Sequence, residues 1–379
     1  MASQWLHKIT TTKNNQATRF NAMQKLEKLD ALRGMAALYV VIHHSVSGSI
    51  VLFGMNIAQV FRFGEEAVIL FFLLSGFVIN FSFVNSKDKT FKTYFHKRAT
   101  RIYIPLLIVM ALGFVVECYG AGEVVDPQSR QLLLNLLMLQ DISSLKPNVV
   151  VDPYMRNSPL WSLSYEWWFY MLYFQVQKHI ASRIRKDAFV YGVSIVAAAA
   201  YIYFPIFIPR LLMYMSIWWL GVMLSNMYLA GEEITLPSLA KPLAGIMVIF
   251  LMCGIGVYRA ALAGPLLGMG VHPILEMRDH FSAIVIVSMA VFWKSQNWLL
   301  FDRLVKPFLV FAPISYVVYI SHHYFVVNTH YFSFIDNKPL EFIVGLTLLL
   351  AFSYLVETIV YPKILKGFSS RPTRPAQAH

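Results

Sequence analysis

The sequence predicts an all-α, polytopic membrane fold of about ten transmembrane helices, with both termini on the cytoplasmic side. Three observations carry that expectation. Of the 379 residues, 57% are hydrophobic and only 14% are charged, against about 25% charged in an average soluble domain. The apolar residues fall in runs near 31–52, 67–85, 101–117, 161–177, 188–204, 211–229, 243–258, 281–293, 307–327 and 341–361, most of them close to the ~20 residues that cross a hydrocarbon core of about 30 Å. The Lys and Arg residues alternate in density from loop to loop. With the N-terminus inside, 23 lie in cytoplasmic segments and 8 in external ones, the asymmetry of the positive-inside rule.

The elements follow in order. Residues 1–29 are polar, with Lys8, Lys13, Arg19, Lys25 and Lys28. No short apolar core with a small-residue cleavage site follows them, so the first span is expected to remain as an anchor. The runs are continuous rather than alternating, which indicates helices and not a barrel. The run at 281–293 is the shortest. The longest external loop, 118–160, holds an apolar segment, Leu132 to Leu139, too short to span; an interfacial or re-entrant helix is expected there. With no internal repeat and no separate soluble unit, the chain divides into a cytoplasmic tail (1–29), one transmembrane domain (30–362) and a second cytoplasmic tail (363–379).

The net charge of +12 does not point to nucleic acid. The excess lies along the inner membrane face, where it meets anionic lipid and anionic cytosolic ligands. Cys118 and Cys253 form neither a metal-ligand spacing nor a disulfide framework. Gly254 and Gly256 sit inside an apolar span without the strand and turn of a dinucleotide loop, and read as helix-packing glycines. There is no P-loop and no H-E-x-x-H pattern, so no metal is expected.

Ionisable groups inside spans are costly and mark functional positions. Arg33 and His44 are eleven residues apart in LDALRGMAALYVVIHHS, nearly the same helix face and roughly 16 Å along the axis. Ala37 and Val40 between them are small enough to leave a groove, and His43 points about 100° away. Glu166 lies in PLWSLSYEWWFY and His322 in ISYVVYISHHYFV, with Tyr316 and Tyr319 on the approach. In the expected orientation His44, Glu166 and His322 all fall in the outer half. Arg98 and Arg101, three apart on one face, stand at the inner end of span three, with Lys92 and Lys97 nearby. Structural readings exist for each: a snorkelling Arg, packing histidines, a buried ion pair, ordinary anchoring charge. Together the groups describe an anion site on the cytoplasmic side and a cluster of proton-transfer groups toward the outside.

At these residues the sequence resembles the acyltransferase-3 family, the membrane-bound O-acyltransferases that decorate bacterial surface polysaccharides. The resemblance is carried by 30–45, where the family's Arg, ten residues, then His falls on Arg33 and His44. It continues in LFFLLSGFVI (70–79), in the R-x-x-R and Pro of RATRIYIP (98–105), and in PLWSLSYEWWFY (159–170). In ISYVVYISHH (314–323) the family's S-Y-x-x-Y-x-x-H falls on Ser315, Tyr316, Tyr319 and His322. Two departures stand beside it. The short Glu-x-Pro of the family's last span is not reproduced, since Glu357 and Pro362 are five apart. The acidic residue before two phenylalanines is displaced to Glu65 and Glu66.

The resemblance implies an acyl-CoA donor, acetyl-CoA in the simplest case, on the cytoplasmic side. The implied acceptor is a glycan or lipid-linked glycan at the outer face of a bacterial cytoplasmic (inner) membrane. By that analogy His44, Glu166 and His322 are catalytic. Arg33, Arg98 and Arg101 serve the CoA moiety, with Ser75 and Gly76 along the pantetheine path, and Trp161, Ser164, Tyr316 and Tyr319 face the acceptor. Neutral His44 is the expected general base, because an imidazole titrates near neutrality, with a covalent acyl-histidine as the variant the sequence leaves open; Glu166 is expected to orient an imidazole, and His322 or a tyrosine to stabilise the oxyanion. The last span is followed by no hydrolase-like domain, so the membrane domain is expected to act alone, and self-association is left open. The competing expectation is a polytopic transporter that uses the same His and Glu residues for proton-coupled flux.

Overall fold

A helix that is apolar all round is stable only inside protein or lipid, and in lipid its backbone amides must be paired within the segment. The computed structural model is helical accordingly. It describes residues 27–46, 51–52, 55–329, 331 and 334–369; most of the expected tails, at 1–26 and 370–379, lie outside these. The helices are α1 (27–45), α2 (Gly64–Val84), α3 (Phe91–Ala121), α4 (Ser129–Leu136), α5 (Trp161–His179), α6 (Arg183–Tyr203), α7 (Phe207–Leu229), α8 (Ala240–Ala263), α9 (Ile274–Ser295) and α10 (Phe301–Leu304). A 3-10 stretch, Lys306–Ile314, runs into α11 (Ser315–His322) and a π-helical turn, His323–Val327. Then come α12 (Lys338–Tyr354), a second π-helical stretch, Leu355–Val360, and α13 (Tyr361–Ser369). Among the described residues the extended structure is a two-residue antiparallel ladder, Val51–Leu52 with Met55–Asn56, and an isolated bridge between Gln140 and Val151.

Six stretches of the described residues are long and apolar enough to cross a membrane: Ala58–Val84, Phe91–Ala121, Phe207–Leu229, Ala240–Ala263, Lys306–Val327 and Lys338–Gly367. The chain is therefore a multi-pass membrane protein. The runs expected at 161–177, 188–204 and 281–293 are helical too. They carry polar groups that dilute their apolar character: Glu166 in α5, Arg183, Arg185, Lys186 and Asp187 at the start of α6, and Glu276, Arg278 and Asp279 in α9. The first run differs from its expected extent, because α1 stops at residue 45 instead of reaching 52; residues 47–50 lie outside the described set. Of the apolar segment expected at 132–139, the part up to Leu136 lies in α4, which is too short to span, and residues 137–139 follow it outside the helix.

α2, α6, α7, α8 and α9 pack on one another, α11 lies between α3 and α12, and α5 touches α2, α3 and α7. The tightest approach is between α2 and α7. A side chain at Gly76 would strike the carbonyl of Trp218, and one at Gly221 would strike the carbonyl of Leu73. These small residues let two backbones touch where lipid supplies no hydrophobic drive for association. The packing expected at Gly254 and Gly256 is not found: Gly256 has nothing within 4 Å of a side-chain position, and Gly254 only the Met277 sulfur at 3.7 Å. On α8, Met247, Leu251, Ile255, Tyr258 and Leu262 are exposed at helical spacing, a stripe suited to lipid.

Polar side chains inside the bundle pair with one another, since an unpaired group there is expensive. Asn80 of α2 donates to Ser225 at 3.1 Å and Asn226 at 2.7 Å, and accepts from Tyr173 at 2.8 Å. At the head of α3, Asp88 receives the Thr93 hydroxyl at 2.5 Å and the Thr90 amide at 2.8 Å. Those bonds hold its carboxyl below the usual carboxylate range and start the helix that presents Arg98 and Arg101.

Candidate active site

One cavity, of about 170 Å³, collects residues from α1, α2, α3, α5 and α11. Arg33 and Asp30, Arg98 and Arg101, Ser75, Glu166 and Tyr170, and Ser162, Tyr316 and Tyr319 all line it. Seven positions singled out in the sequence thus meet in one place: Arg33, Ser75, Arg98, Arg101, Glu166, Tyr316 and Tyr319.

The guanidinium groups differ in how they are held. Arg33 Nη2 donates to Asp30 Oδ1 at 2.8 Å, one turn away. Arg101 is paired with Glu357, whose side chain is only 3% exposed, and its guanidinium lies over the rings of Tyr316 and Tyr361 at 5.4 and 5.5 Å. Arg98 faces Ser82 Oγ at 3.3 Å and the Tyr94 ring at 5.7 Å. The Nε atoms of Arg33 and Arg98 are buried with no hydrogen-bond partner among the described residues. Two unsatisfied guanidinium donors in a shared cavity mark a place for an anionic or strongly accepting ligand. Glu357 was not carried over from the sequence because its spacing to Pro362 is wrong, yet a carboxylate inside an apolar run was the available signal. The π-helical turn at Leu355–Val360 puts an extra residue into the helix beside it, a device common at functional positions.

Glu166 is not where the sequence placed it. Its Oε1 accepts from Ser75 Oγ at 2.8 Å and from the Tyr170 hydroxyl, and Trp218 Nε1 donates to Ser75 at 3.2 Å. The carboxylate belongs to the arginine cavity and orients no imidazole. The reason is local. α5 starts inside the protein, after 3-10 turns at Tyr154–Arg156 and Ser158–Leu160, and its second turn brings Glu166 to Ser75 of α2. The same helix decides between its serines. Ser162 and Glu166 are one turn apart on the cavity face, and Ser162 Oγ lies 2.8 Å from the Tyr319 hydroxyl. Ser164, on the opposite face, donates to the carbonyls of Gln140 and Trp161. Trp161 is also outside the cavity, with Lys146 Nζ 3.6 Å above its ring. Gly76 faces α7 and not the cavity. Sequence reasoning singled out Ser164 and missed Ser162; the i, i+4 spacing of Ser162 to Glu166 was the signal.

Beyond the Tyr319 end stand the histidines. The His44 and His322 rings stack at 5.2 Å between centroids. His322 is completely buried, and its ring lies 6.0 Å from that of Tyr319. His44 is exposed. His322 Nδ1 is 2.7 Å from the Tyr319 carbonyl oxygen. A carbonyl only accepts, so Nδ1 carries the proton, and in the neutral ring Nε2 is a free lone pair. That Nε2 is buried without a partner among the described residues. His43 has Nδ1 2.6 Å from the Phe61 carbonyl oxygen, yet its ring still meets that of His44 edge-on, 4.9 Å between centroids. The groove expected along α1 between Arg33 and His44 is absent, because Ala37 and Val40 are packed to 1% and 2% exposure. The cavity instead approaches the histidines along α11 and ends at Phe71 and Tyr319, whose rings are 5.5 Å apart.

A third polar group, missed in the sequence, lies beneath the 140–160 loop. Buried Asp141 receives Lys146 Nζ at 2.9 Å, Arg210 Nε at 3.1 Å and the Tyr165 hydroxyl at 2.6 Å. On the neighbouring face, Arg278 grips Glu66 with two nitrogens, each at 2.7 Å. Of the displaced acidic pair of α2, Glu66 thus finds a partner, while the Oε2 of Glu65 is buried without one among the described residues. Among the described residues no cluster of His, Cys, Asp and Glu could hold a metal ion.

The sequence profile of a family described as an acyltransferase domain matches residues 26–358. Acyltransferase MdmB of Streptomyces mycarofaciens is 32% identical over 155 residues, which cover 39% of this chain and 38% of that protein; the match thus spans well under half of that relative's length. No solved structure matches the chain.

Proposed function

Because the chain belongs to the acyltransferase-3 family, we propose that it is a membrane O-acyltransferase of the bacterial cytoplasmic membrane. It moves an acyl group, acetyl in the simplest case, from cytoplasmic acyl-CoA to a hydroxyl of a surface or exported polysaccharide or its lipid-linked precursor. Ten helices cross the bilayer, and both termini face the cytoplasm. The observation that carries this reading is the single cavity with three guanidinium groups on its walls and a stacked histidine pair just past Tyr319.

The donor fits that cavity in part. A volume of about 170 Å³ is below the ~300–1,000 Å³ of pockets that enclose whole drug-sized ligands. It suits the slender pantetheine end, with the nucleotide left at the mouth, where Arg33, Arg98 and Arg101 meet its phosphates. Ser75, Glu166 and Tyr170 then lie along the arm, and Tyr316 and Tyr319 lie near the thioester. For transfer, the Phe71–Tyr319 pair has to part. The Ser162 hydroxyl that touches Tyr319 is the latch.

The acceptor oxygen attacks the thioester carbonyl carbon and the C–S bond breaks. His44 takes the hydroxyl proton, which finally resides on the CoA thiol. His322 holds its proton on Nδ1 and offers a lone pair, so in the neutral state it cannot donate to the oxyanion; a hydroxyl, that of Tyr319 once released from Ser162, serves there. Loss of a general base costs roughly 10²–10⁴ in rate. His44→Ala should therefore abolish transfer of label from radioactive acetyl-CoA to glycan in membranes while the protein remains folded and binds acetyl-CoA. Undiminished labelling by that variant rules out the assignment, and flux of a solute without any need for CoA would favour a transporter.

A further inference from the structure

We propose that a second cleft, at the far end of the bundle from the arginines, is the acceptor subsite and takes the ring of a neutral polyhydroxylated sugar. The inference rests on the acyl-transfer reading. The cleft has a volume of about 510 Å³ and lies between the end of α3, the turn at 154–157 and the π-helical turn after α11. That size is in the range of small-molecule pockets.

Its polar groups are Glu117, Arg156, His323, Asn328 and Tyr331. Asn328 Nδ2 donates to Glu117 Oε1 at 3.1 Å, and Arg156 Nη2 lies 3.4 Å from Glu117 Oε2. His323 Nδ1 is buried and without a partner among the described residues. Carboxylate, amide, guanidinium and imidazole in one cleft offer acceptors and donors together. Sugar hydroxyls need both, since each donates one hydrogen bond and accepts others. The carboxylate offsets the guanidinium, so the cleft suits a neutral ligand, in contrast to the arginine cavity. Val116, Val125 and Val327 supply the apolar wall that the C–H face of a sugar ring requires.

The platform is built and held. Met155 and Arg156 both have left-handed backbone, with φ of 47° and 58°, a conformation that persists in non-glycine residues only where surroundings enforce it. The surroundings are visible. The buried Tyr324 hydroxyl reaches the carbonyls of Tyr154 and Met155, each at 3.4 Å. Asn157 Nδ2 donates to the Ile320 carbonyl at 2.8 Å. Both clamps come from the segment that carries His322 and His323, so the turn that presents Arg156 is fixed to the histidines. His323 adjoins His322 in sequence, and the His322 ring stacks on that of His44 at 5.2 Å, which ties the cleft to the histidine pair.

The test uses membranes containing the full chain and radiolabelled acetyl-CoA, with bound acetyl-CoA and labelled glycan measured separately. Two variants probe the cleft. Glu117→Gln removes the charge with little change of shape. Gly120→Trp fills the cleft from α3, at a position where an added side chain meets nothing within 4 Å. Both should bind acetyl-CoA as the unaltered protein does and label glycan at least ten-fold more slowly. Labelling at the unaltered rate overturns the proposal, as does a parallel loss of acetyl-CoA binding. If the unaltered protein itself neither binds acetyl-CoA nor labels glycan, the acyl-transfer reading falls first, and the sugar subsite with it.

Discussion

The pair between Arg101 and Glu357 predicts an asymmetry that can be measured. Removing one member of a buried ion pair leaves the other uncompensated, at a cost of about 3–5 kcal/mol when both are sealed from water. Here the members are unequal: the Glu357 side chain is 3% exposed and that of Arg101 is 38% exposed. Arg101→Ala therefore strands a carboxylate that water does not reach, and about 3 kcal/mol of stability is lost. Glu357→Ala strands a guanidinium that can turn toward solvent, and the loss is about 1 kcal/mol or less, in the range of exposed pairs. The double variant strands neither charge and should be more stable than Arg101→Ala alone. The assay is the thermal unfolding midpoint of the purified protein in detergent, where 3 kcal/mol corresponds to roughly 4 °C for a chain of this size. Arg98→Ala is the comparison. With Ser82 and the Tyr94 ring as its recorded contacts, its loss should leave the midpoint nearly unchanged and weaken acetyl-CoA binding about 10- to 100-fold, the value of one charge-assisted phosphate contact. Equal losses in the two single variants, or a double variant less stable than Arg101→Ala, would refute the reasoning.

Two further outcomes concern the scaffold. Asp141→Asn takes the shared counter-ion from Lys146 and Arg210, both buried, and should cost about 3–5 kcal/mol; a folded yield and midpoint equal to the unaltered protein would disprove that role. Gly76→Ala forces α2 and α7 apart, because the obstacle is the backbone carbonyl of Trp218, and should cost about 1–3 kcal/mol. Gly256→Ala on α8, where the space is open, should be neutral or gain up to ~1 kcal/mol of helix propensity. Similar melting of the two alanine variants would remove the distinction.

Much of the site was legible because charge inside an apolar run is rare enough to be conspicuous. Arg33, Arg98, Arg101, Glu166 and His322 stand out without any structure, and periodicity alone placed Arg98 and Arg101 on one face. What periodicity within one helix does not give is the facing between helices. The direction of its span groups Glu166 with the histidines, whereas its carboxylate is held by Ser75 and Tyr170 in the arginine cavity. Ser164 was preferred to Ser162 although only the latter shares a face with Glu166. Gly254 and Gly256 looked like the close helix contact, and Gly76 and Gly221 provide it.

The sequence by itself determined that this is a multi-pass helical membrane chain, where its apolar segments lie, and which side chains are too polar to be there without a purpose. These are properties of composition and local periodicity, set by the cost of exposing backbone and charge to lipid. Only the tertiary structure decided which of those side chains are partners. Glu357 meets Arg101 across 256 residues of sequence and Glu66 meets Arg278 across 212, pairings that depend on how helices rotate and slide against one another. That choice is made by shape, by where two backbones can touch, and no periodicity within one helix encodes it.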